Sequence, residues 1–531
     1  MNTERRKVRD RELEQYEAEQ ALRAQRRRRR RKRQRAMSIL VLVLVLALLG
    51  TAGFLVFGRG SDLVSEIADM NIADRIVALI SGGDKTGGSV GKESETEAVQ
   101  TTESTTDKQT ESETEKNDAK VQQLVTQADA LAATYDYSGA IKLLKASDDY
   151  DQNTELQKKV SEYKALKDAC VAIKPEEVTH IFYHSLVVDP SKAFDPDKAG
   201  YDGWQQWMTT VTEFDKITQS MYDKGYVLVG IHDLVKITKN EDGSVSVEPK
   251  NIYLPEGKKA YVLSLDDLNY YHTYDDRGVA SKIVLDSNGK PTCEYIEEDG
   301  TVVTGPYDVV PRLDAFMEEH PDGCYRGARG IIALTGYNGV LGYRTDGTYS
   351  EENNTNTEVY YTDDLQREWL SEHPDFDWNK EREDCKAVIE AMKKDGWEFA
   401  SHTWGHKAVG EAPYDELVRD TERWLEYVGS LTGEVDTIIF AHGQDISATG
   451  HYDDSNEKYA YLKSKGFNIF CNVDSGAYTT TVDASYLHQG RRNLDGYRIY
   501  QDMVSGNPLA ADLFDASEVI DPERPLPVPD L

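Results

Sequence analysis

Three stretches of this chain place metal-ligating or acid–base side chains at the ends of apolar runs. The first is Tyr261-Val262-Leu263-Ser264-Leu265, which stops at two adjacent carboxylates, Asp266 and Asp267. Neighbouring acids on a strand-to-loop turn diverge, so one can face a cation and the other the water bound to it. An Asp in that position equally serves as a helix N-cap. The second is Phe399-Ala400-Ser401-His402-Thr403-Trp404-Gly405-His406, two histidines four apart directly after an apolar run. Such a pair converges on one metal if the loop opens as a helical turn. The third is Thr179-His180-Ile181-Phe182-Tyr183-His184-Ser185, which leaves His184 at the end of the first strand. A lone histidine is more often a hydrogen-bonded structural residue than a catalyst.

Cysteine chemistry has little support. The five cysteines, Cys170, Cys293, Cys324, Cys385 and Cys471, are scattered and odd in number, with no C-x-x-C spacing. Neither a disulfide framework nor a Cys-based zinc site follows from them.

The elements that must position these residues alternate between short β-rich runs and helical stretches from about Lys174. Strands are expected at 180–183, 227–231, 260–265, 330–334, 397–400, 437–440 and 468–472. Helices are expected at 203–224, 309–319, 380–395 and 412–432. This alternation indicates an α/β fold with mainly parallel strands, and seven units over this length fit a barrel better than a doubly wound sheet. In such barrels chemistry gathers at the C-terminal ends of the strands, where all three stretches end. Cys293–Thr304 has the pattern of an inserted hairpin turning at Asp299-Gly300.

The motifs resemble the polysaccharide deacetylase (NodB-homology) family. Ser264-Leu265-Asp266-Asp267 resembles its T-F-D-D motif, and His402-Thr403-Trp404-Gly405-His406 matches its H-[ST]-x-x-H motif in full. The resemblance extends over about residues 175–500. It implies a distorted (β/α)7-type barrel and one divalent metal held by Asp267, His402 and His406. It implies Asp266 as the base and, with the strand order seen here, His184 as the general acid. Zinc is the expected metal, and Co²⁺, Ni²⁺ or Mn²⁺ also suit imidazole and carboxylate ligands. Two histidines and one carboxylate leave positions open for water and substrate. The departures lie in the later motifs. Ile438-Ile439-Phe440-Ala441-His442-Gly443-Gln444-Asp445 lacks the usual Arg and Pro and carries His442 instead. Asp474 alone represents the D-x-x-D-W motif. His442, Asp474 and His488 are accessory candidates, His488 as a rival for the acid role, and a backbone N–H near His442 or Gly443 is the expected oxyanion donor.

The remainder of the chain places that domain. Residues 1–35 hold fifteen Lys/Arg against six Asp/Glu, whereas the whole chain carries −33. The acidic bulk excludes nucleic acid as a partner. Residues 36–58 are almost uniformly apolar and long enough to span a bilayer. Their basic flank keeps the N-terminus in the cytoplasm and everything after residue 58 outside. Residues 59–118 are expected to be a juxtamembrane helix and a disordered Ser/Thr/Glu-rich stalk. Residues 119–173 form a helical hairpin resembling a tetratricopeptide pair, which serves as a spacer or a protein-binding segment. Residues 174–531 are the catalytic domain. The expected function is hydrolysis of N-acetyl or O-acetyl groups on an extracellular polysaccharide, with N-acetylglucosamine units foremost. The alternative is a non-catalytic carbohydrate-binding or cell-envelope scaffold, suggested by the missing Arg. A glycosidase would have no use for the histidine pair.

Overall fold

Seven short runs close into one ring of parallel strands in the computed structural model, which describes residues 105–350, 363–474 and 476–531. In chain order they are β1 (Thr179–Tyr183), β2 (Lys259–Asp266), β3 (Ile331–Leu334), β4 (Glu398–Ser401), β5 (Thr437–Ile439), β6 (Ile469–Val473) and β7 (Leu487–Asn493). Each pairs with the next, and β7 returns to β1 with Arg492 opposite Ile181 and Asn493 opposite Phe182. Strands covered on both faces read as continuous apolar runs, which is why six of the seven stand out in the sequence.

The expected barrel is present, with one change of membership. The 227–231 run supplies only the strand Tyr226–Leu228, which pairs beside the first half of β2 and stays outside the ring. The seventh member is β7, Leu-His-Gln-Gly-Arg-Arg-Asn, which is buried along its whole length despite its polarity. Its polar side chains find partners inside the protein, as described below.

Helices pack around the ring. Before it come α1 (Thr105–Ala133), α2 (Tyr137–Lys145) and α3 (Thr154–Asp168). Within it come α4 (Val211–Asp223), α5 (Val309–Glu319), α6 (Trp378–Lys394), α7 (Tyr414–Trp424), α8 (Glu457–Ser464) and α9 (Gly496–Val504). Phe214, Ile217 and Met221 of α4, Leu313 and Met317 of α5, and Val388, Ile389 and Met392 of α6 bury against Leu263, Leu265, Ile332 and Leu334. The expected 203–224 helix is broken, because Thr210 and Glu213 form a capping box that starts α4 afresh. The expected 412–432 helix ends at Trp424 and continues as a wide π turn over Leu425–Gly429. The inserted hairpin gains a third strand: Lys282–Leu285, Pro291–Ile296 and Val302–Gly305 pair antiparallel.

The segment ahead of the barrel is three helices rather than a hairpin pair. Ala128, Ala140 and Leu144 are fully buried between them, and Asp129 receives Lys159 and Tyr163 at 2.8 and 2.6 Å. It is not a detached spacer. Val125, Leu156 and Val160 share one apolar cluster with Val227, Leu254 and Tyr325 under the barrel, and Arg326 N–H donates to Thr134 O at 2.8 Å. Helix α1 begins at Thr105, so the end of the expected stalk is helical. Residues 1–104, which include the expected tail, membrane helix and most of the stalk, lie outside the described residues. Among the described residues no helix is long and apolar enough to cross a membrane.

Candidate active site

The barrel interior changes polarity along its axis. Alternate residues of a strand face the same side. On β2 these are Val262, Ser264 and Asp266, and on β7 they are Leu487, Gln489 and Arg491. At the bottom, Val262 and Leu487 meet Ile331 and Ile469 in the apolar cluster. In the middle, fully buried His180 bridges Gln489 Oε1 and Ser264 Oγ, each at 3.0 Å. Ser264 Oγ also accepts from Arg491 Nη1 at 3.0 Å. The serine therefore gives its own proton to His180 Nε2, and His180 Nδ1–H donates to Gln489. At the top, Arg491 clamps Asp266 with Nη1 to Oδ1 at 2.7 Å and Nη2 to Oδ2 at 2.9 Å. Burial would raise the Asp266 carboxyl, but the guanidinium and His402 outweigh it and hold it well below the usual carboxylate range.

Adjacent Asp267 turns away from that pair. Its φ of 59° is left-handed, and its N–H donates to Ala333 O at 3.2 Å on the neighbouring strand end. Tyr271 O–H donates to Asp267 Oδ1 at 2.6 Å and also meets Thr335. Oδ2 is left 3.5 Å from His406 Nε2. Burial opposes ionisation of Asp267, yet His406, His402, His184 and Tyr271 together lower its carboxyl.

The histidine loop is not the expected helical turn. Thr403 and His406 have φ of 64° and 51°. Three anchors hold this open path. Trp404 and Gly405 donate their amides to Asp420 at 2.6 and 2.8 Å, Trp404 O accepts from Gly336 and Tyr337, and Trp404 Nε1 donates to Asp346 at 3.0 Å. His402 Nδ1–H donates to Ile439 O at 2.8 Å, which leaves the Nε2 lone pair facing inward. Burial, helped by His406 and Arg491, pushes the His402 imidazole down to about 4 despite two carboxylates nearby. It is neutral at neutral pH, the form that ligates.

Asp266, Asp267, His402, His406, His184 and His442 all line one cavity of 710 Å³. His184 is held there by Trp207 O at 3.2 Å from Nδ1. His442 reaches His406 O at 3.2 Å, and burial and His406 lower its imidazole. Two accessory candidates lie elsewhere. His488 faces Asp445 at 3.0 Å, and Asp474 Oδ1 accepts from Gly476 N–H in its own turn. The Gly443 amide is bonded to Phe440 O, which removes it as an oxyanion donor. Arg491, Tyr271 and Asp420 escaped the sequence reading. The one available signal was two arginines inside an otherwise strand-like run.

Asp267, His402 and His406 each offer a ligand atom, and these atoms lie within 4.8 Å of one another. Two neutral-capable imidazoles, one ionised carboxylate and partners fixing the far side of His402 and Asp267 fit a divalent metal.

Residues 365–454 match the family model described as polysaccharide deacetylase. A search of curated proteins finds no match. Among solved structures, the chain is similar to the Streptococcus pyogenes deacetylase PplD in complex with acetate, at 13% identity over 60% of this chain and 93% of that one, with a TM-score of 0.28. It is also similar to a polysaccharide deacetylase from Bacillus cereus, at 12% identity over 65% and 70% of the two chains, with a TM-score of 0.29. A third is the BpsB deacetylase domain from Bordetella bronchiseptica, at 12% identity over 60% and 98%, with a TM-score of 0.28. The matched segment runs through α6, the histidine loop and α7 to just past Asp445, and over it the chain is similar to the polysaccharide deacetylase family.

Proposed function

We propose that this protein is a metal-dependent deacetylase that hydrolyses N-acetyl, or O-acetyl, groups on a cell-surface or extracellular polysaccharide containing N-acetylglucosamine. The observation that carries this reading is the meeting of Asp267, His402 and His406 beside a separately clamped Asp266 in one cavity.

A divalent cation, zinc foremost, would be held by Asp267, His402 and His406 and would supply polarisation of the acetyl carbonyl and a more acidic water. Asp266 takes the proton of the attacking water, a role worth about 10²–10⁴ in rate. Arg491 keeps that carboxylate ionised and fixes its plane. His184, steadied by Trp207 O, delivers a proton to the departing sugar nitrogen. Trp204 and Trp207 wall the cavity and exclude water from one side of the sugar. The missing Arg of the later motif is what speaks for a non-catalytic barrel. Arg491 supplies a guanidinium against Asp266 from β7, which favours the catalytic reading. The basic tail and residues 36–58 anchor the enzyme in a bilayer with its barrel outside the cell.

Acetate release from a panel of acetylated glycans, with and without chelator, tests the proposal. Release is expected from at least one glycan, abolished by chelator and restored by zinc. Asp266→Asn should lose release and keep the metal. No release from any glycan, or release indifferent to chelator, overturns the reading.

A further inference from the structure

A second cavity, 750 Å³ in volume, opens beside the first and has no part in the chemistry above. Tyr274 lines both cavities. Tyr271, whose hydroxyl holds Asp267, forms part of the second cavity's wall, so its interior lies one side chain from a candidate metal ligand. Most of the other walls come from the turn after β2, from the inserted three-stranded sheet and from residues 369–376.

The lining has two chemical components. Tyr274, Tyr295, Trp369 and Phe376 are aromatic and only partly buried. Trp369 is stacked on His373 at 4.1 Å and edge-on to Phe376 at 5.0 Å, which makes a rigid aromatic wall. The same lining holds carboxylates, among them Asp275, Asp276, Glu294 and Asp375. The lining cations are already engaged: Lys282 pairs with Glu381 at 3.1 Å, Lys192 lies 3.8 Å from Asp189, and Arg344 donates to Tyr270 O and Asn338 O.

We propose that this cavity binds further sugar units of the same polysaccharide chain whose acetyl group occupies the first cavity, an inference that rests on the deacetylase reading. Aromatic faces stack on the C–H face of a pyranose, and carboxylate oxygens accept from its hydroxyls. The volume lies within the range of about 300–1,000 Å³ typical of organic-ligand sites. The excess of carboxylates repels uronate- or phosphate-bearing chains. It accepts neutral units and units carrying the ammonium group that deacetylation leaves behind. The cavity thus selects a long hexosamine polymer over a short or anionic one.

The test uses the full chain and dimers and hexamers of β-1,4- and β-1,6-linked N-acetylglucosamine. For at least one linkage, kcat/KM should be about tenfold higher on the hexamer than on the dimer, the scale of one well-stacked ring. Tyr295→Ala and Trp369→Ala should bring that ratio towards one, with thermal unfolding confirming that each variant folds. Equal rates on hexamer and dimer in the parent, or a ratio unmoved by both variants, overturns the proposal. Calorimetry with the same hexamers separates the two readings. Hexamer binding weakened by Tyr295→Ala, in a protein that releases no acetate, keeps the cavity and removes the deacetylase. Absence of hexamer binding in the parent removes the cavity. A partly deacetylated hexamer should bind at least as tightly as the acetylated one, and tighter binding of a hexuronate would contradict the charge argument.

Discussion

Asp266 and Asp267 are neighbours in sequence but meet opposite surroundings, and the difference can be tested one residue at a time. Asp266 is fully buried and owes its ionised state to Arg491. In Arg491→Met, burial is opposed only by the neighbouring histidines and the carboxyl rises. The acid limb of the kcat/KM profile should then move to higher pH, with kcat/KM down by about 10² or more and the metal retained. An unmoved acid limb would separate Arg491 from the base. Asp267 depends on Tyr271, which occupies one carboxylate oxygen and leaves the other for the metal. Tyr271→Phe should weaken metal affinity by about 10–100-fold in a competition titration with a zinc indicator. The two histidines and both acids were legible in the sequence because each follows directly on an apolar strand. Arg491 was not, because it comes from a strand whose polar residues satisfy one another inside the barrel and so leave no apolar pattern.

At the scale of elements, the histidine loop depends on close approach to the turn after β3. A Cβ on Gly336 would stand 2.1 Å from Trp404 Cδ1. Gly336→Ala should therefore displace Trp404, cost about 1–3 kcal/mol in urea unfolding and loosen both histidines. Unchanged stability and metal binding would contradict this packing. The barrel's lower rim has its own bridge. His232 places Nδ1 2.5 Å from Glu398 at the start of β4, and Nε2 2.9 Å from Asp436 ahead of β5. Burial pulls this imidazole down, but the two carboxylates prevail and raise it to about 10. The unfolded value is about 6.5, so the bridge contributes fully below that pH and its contribution fades as pH climbs through about 10. The ring is roughly half-exposed, so water screens the pair and the effect stays near or below about 1 kcal/mol. Unfolding of His232→Gln at pH 6 and pH 10 should show a smaller loss across that interval than the parent. An equal loss in both would dismiss the bridge. The fourfold spacing of the histidines was legible, whereas the left-handed turns at Thr403 and His406 were not. Those turns depend on Asp420 and Asp346, which are remote in sequence.

Over the whole molecule, the three helices ahead of the barrel close its apolar base, where Val227, Leu254 and Tyr325 meet Val125, Leu156 and Val160. A chain beginning at Lys174 should expose that base and lose more than about 5 °C in thermal midpoint. Retention of the full midpoint would show the helices to be dispensable. The strand–helix alternation made the barrel legible, because six of its seven parallel strands are buried on both faces as apolar runs, polar β7 being the exception. The docking of the helices was not legible, because a helix that packs on a neighbour and one that spans a gap carry the same amphipathic stripe.

Anomalous diffraction from zinc-loaded crystals reads out whether Asp267, His402 and His406 hold one ion. A single zinc peak is expected about 2.0–2.2 Å from Asp267 Oδ2, His402 Nε2 and His406 Nε2. Stoichiometric zinc bound at any other place, or coordinated without Asp267, would contradict it.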